Sequence, residues 1–373
     1  MHIKTIEPIA VSLPMLKPVI MAGEEVRRAD NVLVRIAADN GLVGWGEAAS
    51  APVMTGETIE SIVAAVHYLE QALHGRDAAD IEGALAAMDG RMYGNHGAKA
   101  AIEIALHDLA GKAAGKPVHA LLGEKKRSRI ALLGVIGGGD LDGDLRDAEK
   151  KKAAGITAYK IKVGIDTPEN DAARTRTICN VLGRGLLISA DANQGYSTEE
   201  ALHYVCAVEG AGLDFFEQPV MADDLAGMAQ VAAATKIAIG ADEGIHSLDD
   251  IRRHHEKQAA RGVSLKAIKL GGVRAVTEAA RLCGTLGMSV NISCKTGESS
   301  VACAAALHVA CVIPDIAWGL TLTHGGLRDD VTTPPLPASQ SHAEVPDRPG
   351  LGVEVDEGRV QRHRVALPAR YVA

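Results

Sequence analysis

The amino-acid sequence predicts an α/β fold in which a (β/α) barrel follows a smaller α+β lobe. Eight strand-like runs alternate with Ala- and Glu-rich helical stretches between residues 129 and 322. Such regular alternation is typical of a barrel of parallel strands. The first 125 residues differ, because their strand-like runs come first and their helical patterns follow, as in an α+β unit.

The front lobe starts with a predicted hairpin. Residues 31–48 contain two strand-like runs joined by Asp39-Asn40-Gly41, and an Asn-Gly pair between apolar runs is a strong turn signal. Helical periodicity follows over residues 57–74, 80–90 and 97–115. The Gly-Lys-Pro segment at 115–117 then interrupts the pattern, so we predict a capping lobe over residues 1–125.

The alternating region supplies eight candidate barrel strands. They cover residues 129–136, 158–163, 185–192, 214–219, 236–242, 264–270, 288–293 and 315–322, with helical stretches that include 198–210, 222–234, 246–260 and 273–286. A doubly wound sheet is the alternative fold, but it usually has fewer strands and often a Gly-rich first turn with a GxGxxG pattern. The Gly-rich segment 134–140 lacks that pattern. We therefore predict the barrel over residues 126–325.

The C-terminal segment, residues 326–373, returns to strand-like composition. A linker rich in Pro and Ser covers residues 332–350, and residues 350–360 predict a hairpin that turns at Asp356-Glu357-Gly358. We expect this segment to pack back on the front lobe.

Composition and charge exclude several classes of function. The net charge of −8 and the isoelectric point near 6.0 provide no basic surface for nucleic acid or an anionic membrane. The longest apolar run, residues 301–313, is too short to span a bilayer. The six cysteines show no CxxC pair and the first residues show no signal-peptide pattern, so we expect a cytoplasmic protein with reduced thiols.

Polar residues recur at the ends of the predicted strands, where a barrel of this kind assembles its chemistry. They are Lys160, Lys162, Asp191, Asn193, Glu217, Asp242, Glu243 and Lys266. One residue from each of five strands, at 162, 191, 217, 242 and 266, recurs every 24 to 29 residues, which is about the length of one βα unit. We therefore expect these side chains to meet at one mouth of the barrel.

Three of these residues are carboxylates from consecutive strands, Asp191, Glu217 and Asp242. They repel one another unless a cation joins them, and hard oxygen ligands favour Mg²⁺, with Mn²⁺ as the substitute. Lys162 precedes these strands and Lys266 follows them, so the two lysines flank the predicted metal. Taken singly, each Asp is commonly a helix cap and each Lys a solvated side chain; their shared register favours a site.

Other polar features are interpreted as structural. We expect His254 and His255 to be exposed on a helix, and His308 to be a core histidine in an apolar helix. Lys269 is an odd number of residues from Lys266, so in a continuous strand it faces away from the mouth. The Asp-rich segment 140–144 lacks the glutamate of a calcium loop and is expected to be a solvated loop.

These motifs resemble those of the enolase superfamily, and within it the muconate lactonizing enzyme subgroup. The matching segments are KIK (160–162), DAN (191–193), EQP (217–219), ADE (241–243), LKAIKLGG (265–272) and ES (298–299), with GWGEA (44–48) in the front lobe. The resemblance implies a modified TIM barrel, (β/α)7β, with an α+β N-terminal capping domain completed by the C-terminal tail. The mandelate racemase subgroup is disfavoured, because it places a histidine near the end of the seventh strand, where this chain has Asn291 or Ser293.

The resemblance also implies roles for residues. Asp191, Glu217 and Asp242 correspond to the Mg²⁺ ligands, Lys162 to the base on one face of the substrate carbon, and Lys266 to its counterpart on the other face. Lys160 either lowers the pKa of Lys162 through its like charge or binds a carboxylate oxygen. Asn193, Glu243, Glu298 and Asp315 are candidates for residues beside the metal and the substrate.

The implied activity is removal of a proton α to the carboxylate of a small carboxylic acid or N-substituted amino acid, with Mg²⁺ stabilising the enediolate. Racemisation, epimerisation and cycloisomerisation all remain open, and a dehydratase or o-succinylbenzoate-synthase-like lyase is the alternative. An inactive binding protein is a minor alternative. Asp315 and Ala317 stand where dipeptide epimerases of the family carry an Asp-x-Asp pair, which disfavours that substrate class.

We expect a small-molecule carboxylate as substrate, and the resemblance implies a homo-oligomer. We further expect specificity to come from segments 15–28 and 50–57 of the front lobe and from the last barrel strands. In the segment CKTGES (294–299), Thr296 and Gly297 predict a roomy, polar pocket.

Overall fold

The computed structural model describes residues 1–21, 24–137 and 140–367. The front of the chain forms a three-stranded antiparallel sheet of β1 (Ile3–Met21), β2 (Glu24–Ala38) and β3 (Val43–Ala49), followed by helices α1 (Ile59–Leu73), α2 (Ile81–Arg91), α3 (His96–Ala114) and the single turn α4 (His119–Leu122). The predicted turn at residues 39–41 joins β2 to β3, since Gly41 N donates to Ala38 O and adopts φ 85°. Thr58 and Asp80 cap α1 and α2 with their side-chain oxygens.

The middle of the chain forms an eight-stranded parallel sheet. Its strands and helices alternate in the order β5 (Leu133–Ile136), α5 (Leu141–Ala153), β6 (Ala158–Lys162), α6 (Pro168–Leu182), β7 (Leu187–Asp191), α7 (Thr198–Ala207), β8 (Phe215–Glu217), α8 (Leu225–Ala234), β9 (Ala238–Ala241), α9 (Leu248–Glu256), β10 (Gly262–Leu265), α10 (Ala267–Leu270), α11 (Val273–Leu286), β11 (Ser289–Ser293), α12 (Ser300–Val312) and β12 (Leu320–Thr321). A short strand, β4 (Arg129–Ala131), precedes them and pairs with β13 (His342–Glu344).

A parallel bridge between Leu132 and Leu320 brings the two ends of this sheet together, so that the eight strands form one ring. Each strand but the last is followed by a helix that leads to the next strand. The architecture is therefore the predicted eight-stranded barrel in the (β/α)7β form that the resemblance implies, combined with a sheet and helices at the front of the chain, as predicted.

Close packing at Trp318 fills the barrel below its strand ends. The Trp318 ring stacks on Phe215 with a centroid distance of 4.0 Å. A Cβ atom at Gly240 or Gly262 would approach the same ring to 2.8 or 2.4 Å, so only glycine fits at these two strand positions. This layer closes the barrel interior on the side away from the mouth.

The predicted hairpin at residues 350–360 is wrong. Asp356 accepts a hydrogen bond from the backbone N of Arg359 at 3.1 Å and so begins helix α13 (Glu357–His363). The Asp-Glu-Gly sequence thus acts as a helix start rather than as a turn, because a cap satisfies backbone donors that a hairpin would leave to the ladder. The tail still reaches the front sheet, where Val365 N donates to Ala10 O at 2.9 Å.

Two further expectations are changed by the structure. His254 is buried, with Nδ1 2.8 Å from the backbone oxygen of Asp250, whereas His255 is exposed as expected. Asp140 caps α5 by accepting from Gly143 N, so the expected loop at 140–144 is the start of a helix. His308 is fully buried, which confirms a core histidine. Across the described ranges of the chain, no helix is both long and apolar enough to cross a membrane.

Candidate active site

Strand register brings the predicted residues together at the carboxyl ends of the barrel strands. Lys162 on β6 pairs with Asp191 on β7, which in turn pairs with Glu217 on β8. Asp242 directly follows β9, and Lys266 directly follows β10. In a ring of eight strands, β6 and β10 stand four strands apart in either direction. Lys162 and Lys266 therefore approach the carboxylates from opposite sides of the mouth.

The two lysines of β6 contact the carboxylates of β7 and β8. Lys160 Nζ lies 2.6 Å from Glu217 Oε2 and 3.6 Å from Asp191 Oδ2. Lys162 Nζ lies 2.7 Å from Asp191 Oδ2 and also contacts Asn193 Oδ1. Lys160, Asp191 and Glu217 are nearly fully buried, whereas the Lys162 side chain is 28% exposed. Of the two ammonium groups, that of Lys162 is thus the more accessible to a ligand.

Asp242 forms ion pairs with two lysines rather than one. Lys266 contacts its Oδ2, and Lys269 Nζ lies 2.6 Å from its Oδ1 and 3.0 Å from the backbone oxygen of Ser264. The expectation that Lys269 faces away is wrong, because the strand ends at Leu265 and residues 267–270 form α10. Residues three apart share a face once the chain is helical.

Asn193 and Gln218 order the loops that follow β7 and β8. Asn193 Nδ2 donates to Glu243 Oε1 at 2.9 Å, so the predicted neighbours Asn193 and Glu243 are in contact. Gln218 Oε1 accepts from Asp242 N at 2.9 Å and from Gly244 N at 3.1 Å. Gln218 was not among the predicted site residues, although it directly follows the strand-end Glu217.

Burial and ion pairing shift the pKa values of these groups in different directions. Burial raises the pKa of Asp191, but the Lys162 and Lys160 ammonium groups outweigh it and the net pKa is lowered. For Glu217, burial prevails over Lys160 and the pKa is raised. Burial alone would lower the pKa of Lys266, yet Asp242 and Glu243 raise it overall. Lys266 is thus held as an ammonium ion while Asp242 is its partner.

The three carboxylates have the chemistry of a divalent-cation site. Within the described part of the chain, no three His, Cys, Asp or Glu side chains converge as a ready-made metal cluster, and lysines contact all three carboxylates. However, Glu217 Oε1 is buried and has no hydrogen-bond partner. Three buried carboxylates with an unused oxygen are a hard-oxygen donor set that suits Mg²⁺ or Mn²⁺. The donor set therefore fits such an ion.

A cavity of about 430 Å³ opens over this cluster. The front lobe contributes Pro18, Val19 and Met54 to its wall, from the two segments expected to set specificity. Residues 22 and 23 of the first segment lie outside the described residues. Lys160, Lys162, Asp191, Asn193, Asp242 and Lys266 line its barrel side.

The last two strands contribute to the cavity, as expected, but only some of their lining residues were predicted. Ser293, Cys294, Lys295, Thr296, Thr321, Leu322 and Thr323 line the cavity. Asp315 does not: it is exposed and lies five residues before β12, because the observed strand starts at Leu320 rather than at 315. Its placement at the mouth is corrected: Thr321 at the end of β12 and Thr323, two residues further, are the residues of this segment that face the mouth. Lys295 and both threonines were missed, although Lys295 follows a predicted strand end.

Glu298 and Gly297 lie next to the cavity wall, on the side away from the cavity. Glu298 is buried, accepts from Lys295 N at 3.0 Å, and has a pKa raised to about 8 by burial and by Glu47. A Cβ at Gly297 would come within 2.3 Å of Ala29 Cβ, and Gly297 has φ 85°. Gly297 thus makes room for the front lobe rather than for a substrate, while Thr296 lies in the cavity wall as expected.

Comparison with known proteins identifies relatives over nearly the whole chain. Residues 5–123 match the N-terminal domain family of mandelate racemase and muconate lactonizing enzyme, and residues 144–359 match the family described as enolase C-terminal domain-like. An L-Ala-D/L-Glu epimerase of Clostridium acetobutylicum is 34% identical over 95% of this chain and 99% of its own length. A chloromuconate cycloisomerase of Cupriavidus necator is 31% identical over 97% of this chain and 99% of its own.

Solved structures show the same architecture. A muconate lactonizing enzyme from Pseudomonas fluorescens, complexed with muconolactone, superposes with a TM-score of 0.93 at 29% identity, covering 98% of this chain and 99% of that one. An N-succinyl Arg/Lys racemase from Bacillus cereus also superposes with a TM-score of 0.93 at 29% identity and with the same coverage. These relatives are isomerases by name, with different substrates.

Proposed function

Because this chain belongs to the mandelate racemase and muconate lactonizing enzyme family of the enolase superfamily, we propose that it is a Mg²⁺-dependent isomerase of small carboxylates. It removes a proton α to the carboxylate and returns it to the same carbon, or it delivers a proton to the α carbon while a ring closes at the neighbouring carbon. Named relatives include an epimerase, a cycloisomerase and a racemase, all of them isomerases. The comparisons support the class of reaction, and the site geometry supports the mechanism proposed for this chain.

The observation that carries the proposal is the position of Lys162 and Lys266 across the mouth. They follow strands four apart in the ring, and three carboxylate-bearing strands lie between them on one side. A substrate carbon seated between two such lysines presents one face to each. One lysine then removes a proton and the other can deliver one to the opposite face, which inverts the configuration. A positioned base of this kind contributes about 10²–10⁴-fold to the rate.

Asp191, Glu217 and Asp242 would hold the metal ion, which when bound supplies positive charge for the substrate carboxylate as its α proton leaves. Lys160 forms ion pairs with Glu217 and Asp191, and its positive charge offsets part of the negative charge of the three carboxylates. Lys266 is held protonated by Asp242 in the absence of a cation. A divalent ion held by Asp242 would weaken this pairing, and Lys266 could then serve as a base.

The test is exchange of α protons in D₂O. Purified protein with Mg²⁺ is incubated with N-acyl amino acids, betaines, prolines and lactone precursors, and NMR follows deuterium uptake at the α carbon. We expect exchange with at least one class, its loss after treatment with EDTA, and its recovery with Mg²⁺ or Mn²⁺. Absence of exchange from the whole set would overturn the proposal and favour a binding protein. Exchange accompanied by a dehydrated product would instead indicate the lyase alternative.

A further inference from the structure

The side chain of Arg174 reaches from helix α6 to the end of β6, the strand that carries Lys162. Its guanidinium donates through Nη1 to Asp144 Oδ2 at 2.6 Å and through Nη2 to Asp171 Oδ1 at 3.0 Å, and Nη2 also donates to the backbone oxygen of Lys162. Asp144 on α5 and Asp171 on α6 are both buried. One planar group thus joins two helices to the residue proposed as a base.

The contact between Arg174 and Lys162 lies where the barrel sheet supports Lys162 on one side only. β5 pairs with β6 as far as Ile136 and Ile161, so Lys162 lies one residue beyond the last pair of these two strands. On the other side the ladder continues, since Lys162 pairs with Asp191 on β7. Arg174 therefore supplies a donor to the strand end where the ladder with β5 has stopped.

Asp171 extends this anchor to the loop that follows Lys162. Its Oδ2 accepts from the backbone N of Gly164 at 2.8 Å, from the backbone N of Ile165 at 3.2 Å, and from Tyr196 Oη at 2.7 Å. Ile165 lines the cavity, and Tyr196 belongs to the loop between β7 and α7. One buried carboxylate thus fixes the segment after the proposed base and joins it to the neighbouring loop.

Lys266, the proposed base on the opposite face, is held differently. Its backbone oxygen accepts from Lys269 N at 3.2 Å, within the turn that starts α10. It follows β10, which stands four strands from β6 in the ring. The side chain of Lys266 is 6% exposed, whereas that of Lys162 is 28% exposed. The position of the Lys162 ammonium therefore depends more on how its backbone is fixed.

We propose that Arg174 is a positioning residue for Lys162: together with Asp171 it fixes the end of β6, so that the Lys162 ammonium stays at the face of the substrate carbon that it serves. This inference rests on the proposed function, because it takes Lys162 as a base. Loss of Arg174 releases the Lys162 carbonyl, and a displacement of about 1 Å can cost about 10²-fold in rate. The effect falls on the Lys162 face alone.

Exchange at each face of the α carbon tests this selectivity. Lys162→Ala and Lys266→Ala first identify the enantiomer whose α proton each lysine removes. NMR in D₂O with Mg²⁺ then follows both enantiomers in the presence of Arg174→Gln. We expect exchange through Lys162 to fall at least about tenfold and exchange through Lys266 to stay within about twofold. An equal loss on both faces, or no loss on either, would overturn the proposal.

Chemical labelling of Lys162 tests the same positioning without turnover, so it separates this inference from the proposed function. Trace acetylation with deuterated acetic anhydride, followed by mass spectrometry, gives the rate at Lys162 relative to the exposed Lys236. We expect this relative rate to rise at least about threefold in Arg174→Gln, because the ammonium is then no longer held on Asp191. An unchanged relative rate would overturn the proposal. A raised rate without exchange on any acid would support the anchoring of Lys162 and overturn the proposed reaction.

A second variant covers the case in which Arg174→Gln does not fold. Arg174→Lys keeps a positive charge between Asp144 and Asp171, but one ammonium does not reproduce a planar fork that holds three acceptors. We expect it to fold and still to lose exchange selectively on the Lys162 face. Arg176→Gln, at an exposed arginine of the same helix whose side chain contacts the end of α7, is the matched control and should leave both faces unchanged. Native exchange on both faces in Arg174→Lys would overturn the proposal.

Discussion

The ammonium group of Lys269 lies 2.6 Å from Oδ1 of Asp242, on the carboxylate whose other oxygen Lys266 contacts. Lys269 is fully buried and does not line the cavity. It therefore compensates the charge of Asp242 from the protein interior. Lys266, in contrast, lines the cavity. The two lysines share Asp242 as their partner, but of the two Lys266 is the one that can contact a ligand in the cavity.

Replacing Lys269 by Met is expected to destabilise the protein by about 3–5 kcal/mol, because removing one partner of a buried ion pair leaves the other charge less compensated. Urea unfolding of the native protein and the variant measures the difference. Lys236→Met, at an exposed lysine, serves as the control and is expected to stay within about 0.5 kcal/mol. A loss below about 1 kcal/mol for Lys269→Met would show that Lys266 alone compensates Asp242.

Substitution of the two lysines across the mouth is expected to separate the two directions of exchange. Lys162→Ala should abolish proton exchange at one face of the substrate carbon, and Lys266→Ala at the other, because each lysine approaches from its own side. NMR of α-deuterium incorporation into each enantiomer of an exchanging acid measures this, with Lys236→Ala as the control. Full activity of both variants would contradict the assignment of the bases.

Glu47 connects the front sheet to the start of α12. Its side chain is buried and accepts from Asn31 Nδ2 at 2.7 Å, from Ser299 Oγ at 2.6 Å, and from the backbone N of Ser299 and Ala302 at 2.9 and 3.0 Å. Its carboxylate thus satisfies donors at a helix N-terminus that belongs to the barrel.

Glu47→Ala is expected to lower the free energy of unfolding by at least about 3 kcal/mol, because several buried donors would lose their acceptor at about 1–3 kcal/mol each. Thermal and urea unfolding measure the loss. Glu7→Ala, on the same sheet but partly exposed, is the matched control and should change stability little. A Glu47→Ala variant as stable as the control would mean that water replaces the carboxylate.

His308 makes stability sensitive to acid. Burial lowers its pKa from 6.5 to about 3, and the neutral ring accepts from His119 N at 3.2 Å through Nδ1 and donates to Leu351 O at 3.1 Å through Nε2. The unfolded chain takes up a proton below pH 6.5, but the folded protein does so only near pH 3. The contribution of His308 is therefore fully present above pH 6.5 and is lost as the pH falls towards 3.

His308→Gln is expected to remove this part of the acid sensitivity. Between pH 6.5 and pH 5 the native protein should lose about 2 kcal/mol more than the variant, at about 1.4 kcal/mol for each pH unit. Urea unfolding at a series of pH values gives the two slopes. Parallel slopes would show that His308 is not the group that titrates.

The periodic pattern of the sequence was sufficient to predict the barrel and to predict which polar residues cluster at its mouth. Asp191, Glu217 and Asp242 end consecutive strands at nearly constant spacing, and parallel strands bring such positions to one edge whatever the details of packing. The metal ligands and the bases stay predictions. The spacing also placed Lys162 and Lys266 outside the carboxylate strands, and the ring order then set them opposite one another.

Tertiary structure alone decided the features that depend on where an element ends. Lys269 turns towards Asp242 because the strand stops at Leu265, and Asp356 starts a helix where the composition predicts a hairpin. Asp315 lies outside the mouth because β12 begins later than its apolar run. Periodicity records which residues alternate along the chain, but strand ends and unpaired groups are set by contacts between distant segments, which no local pattern contains.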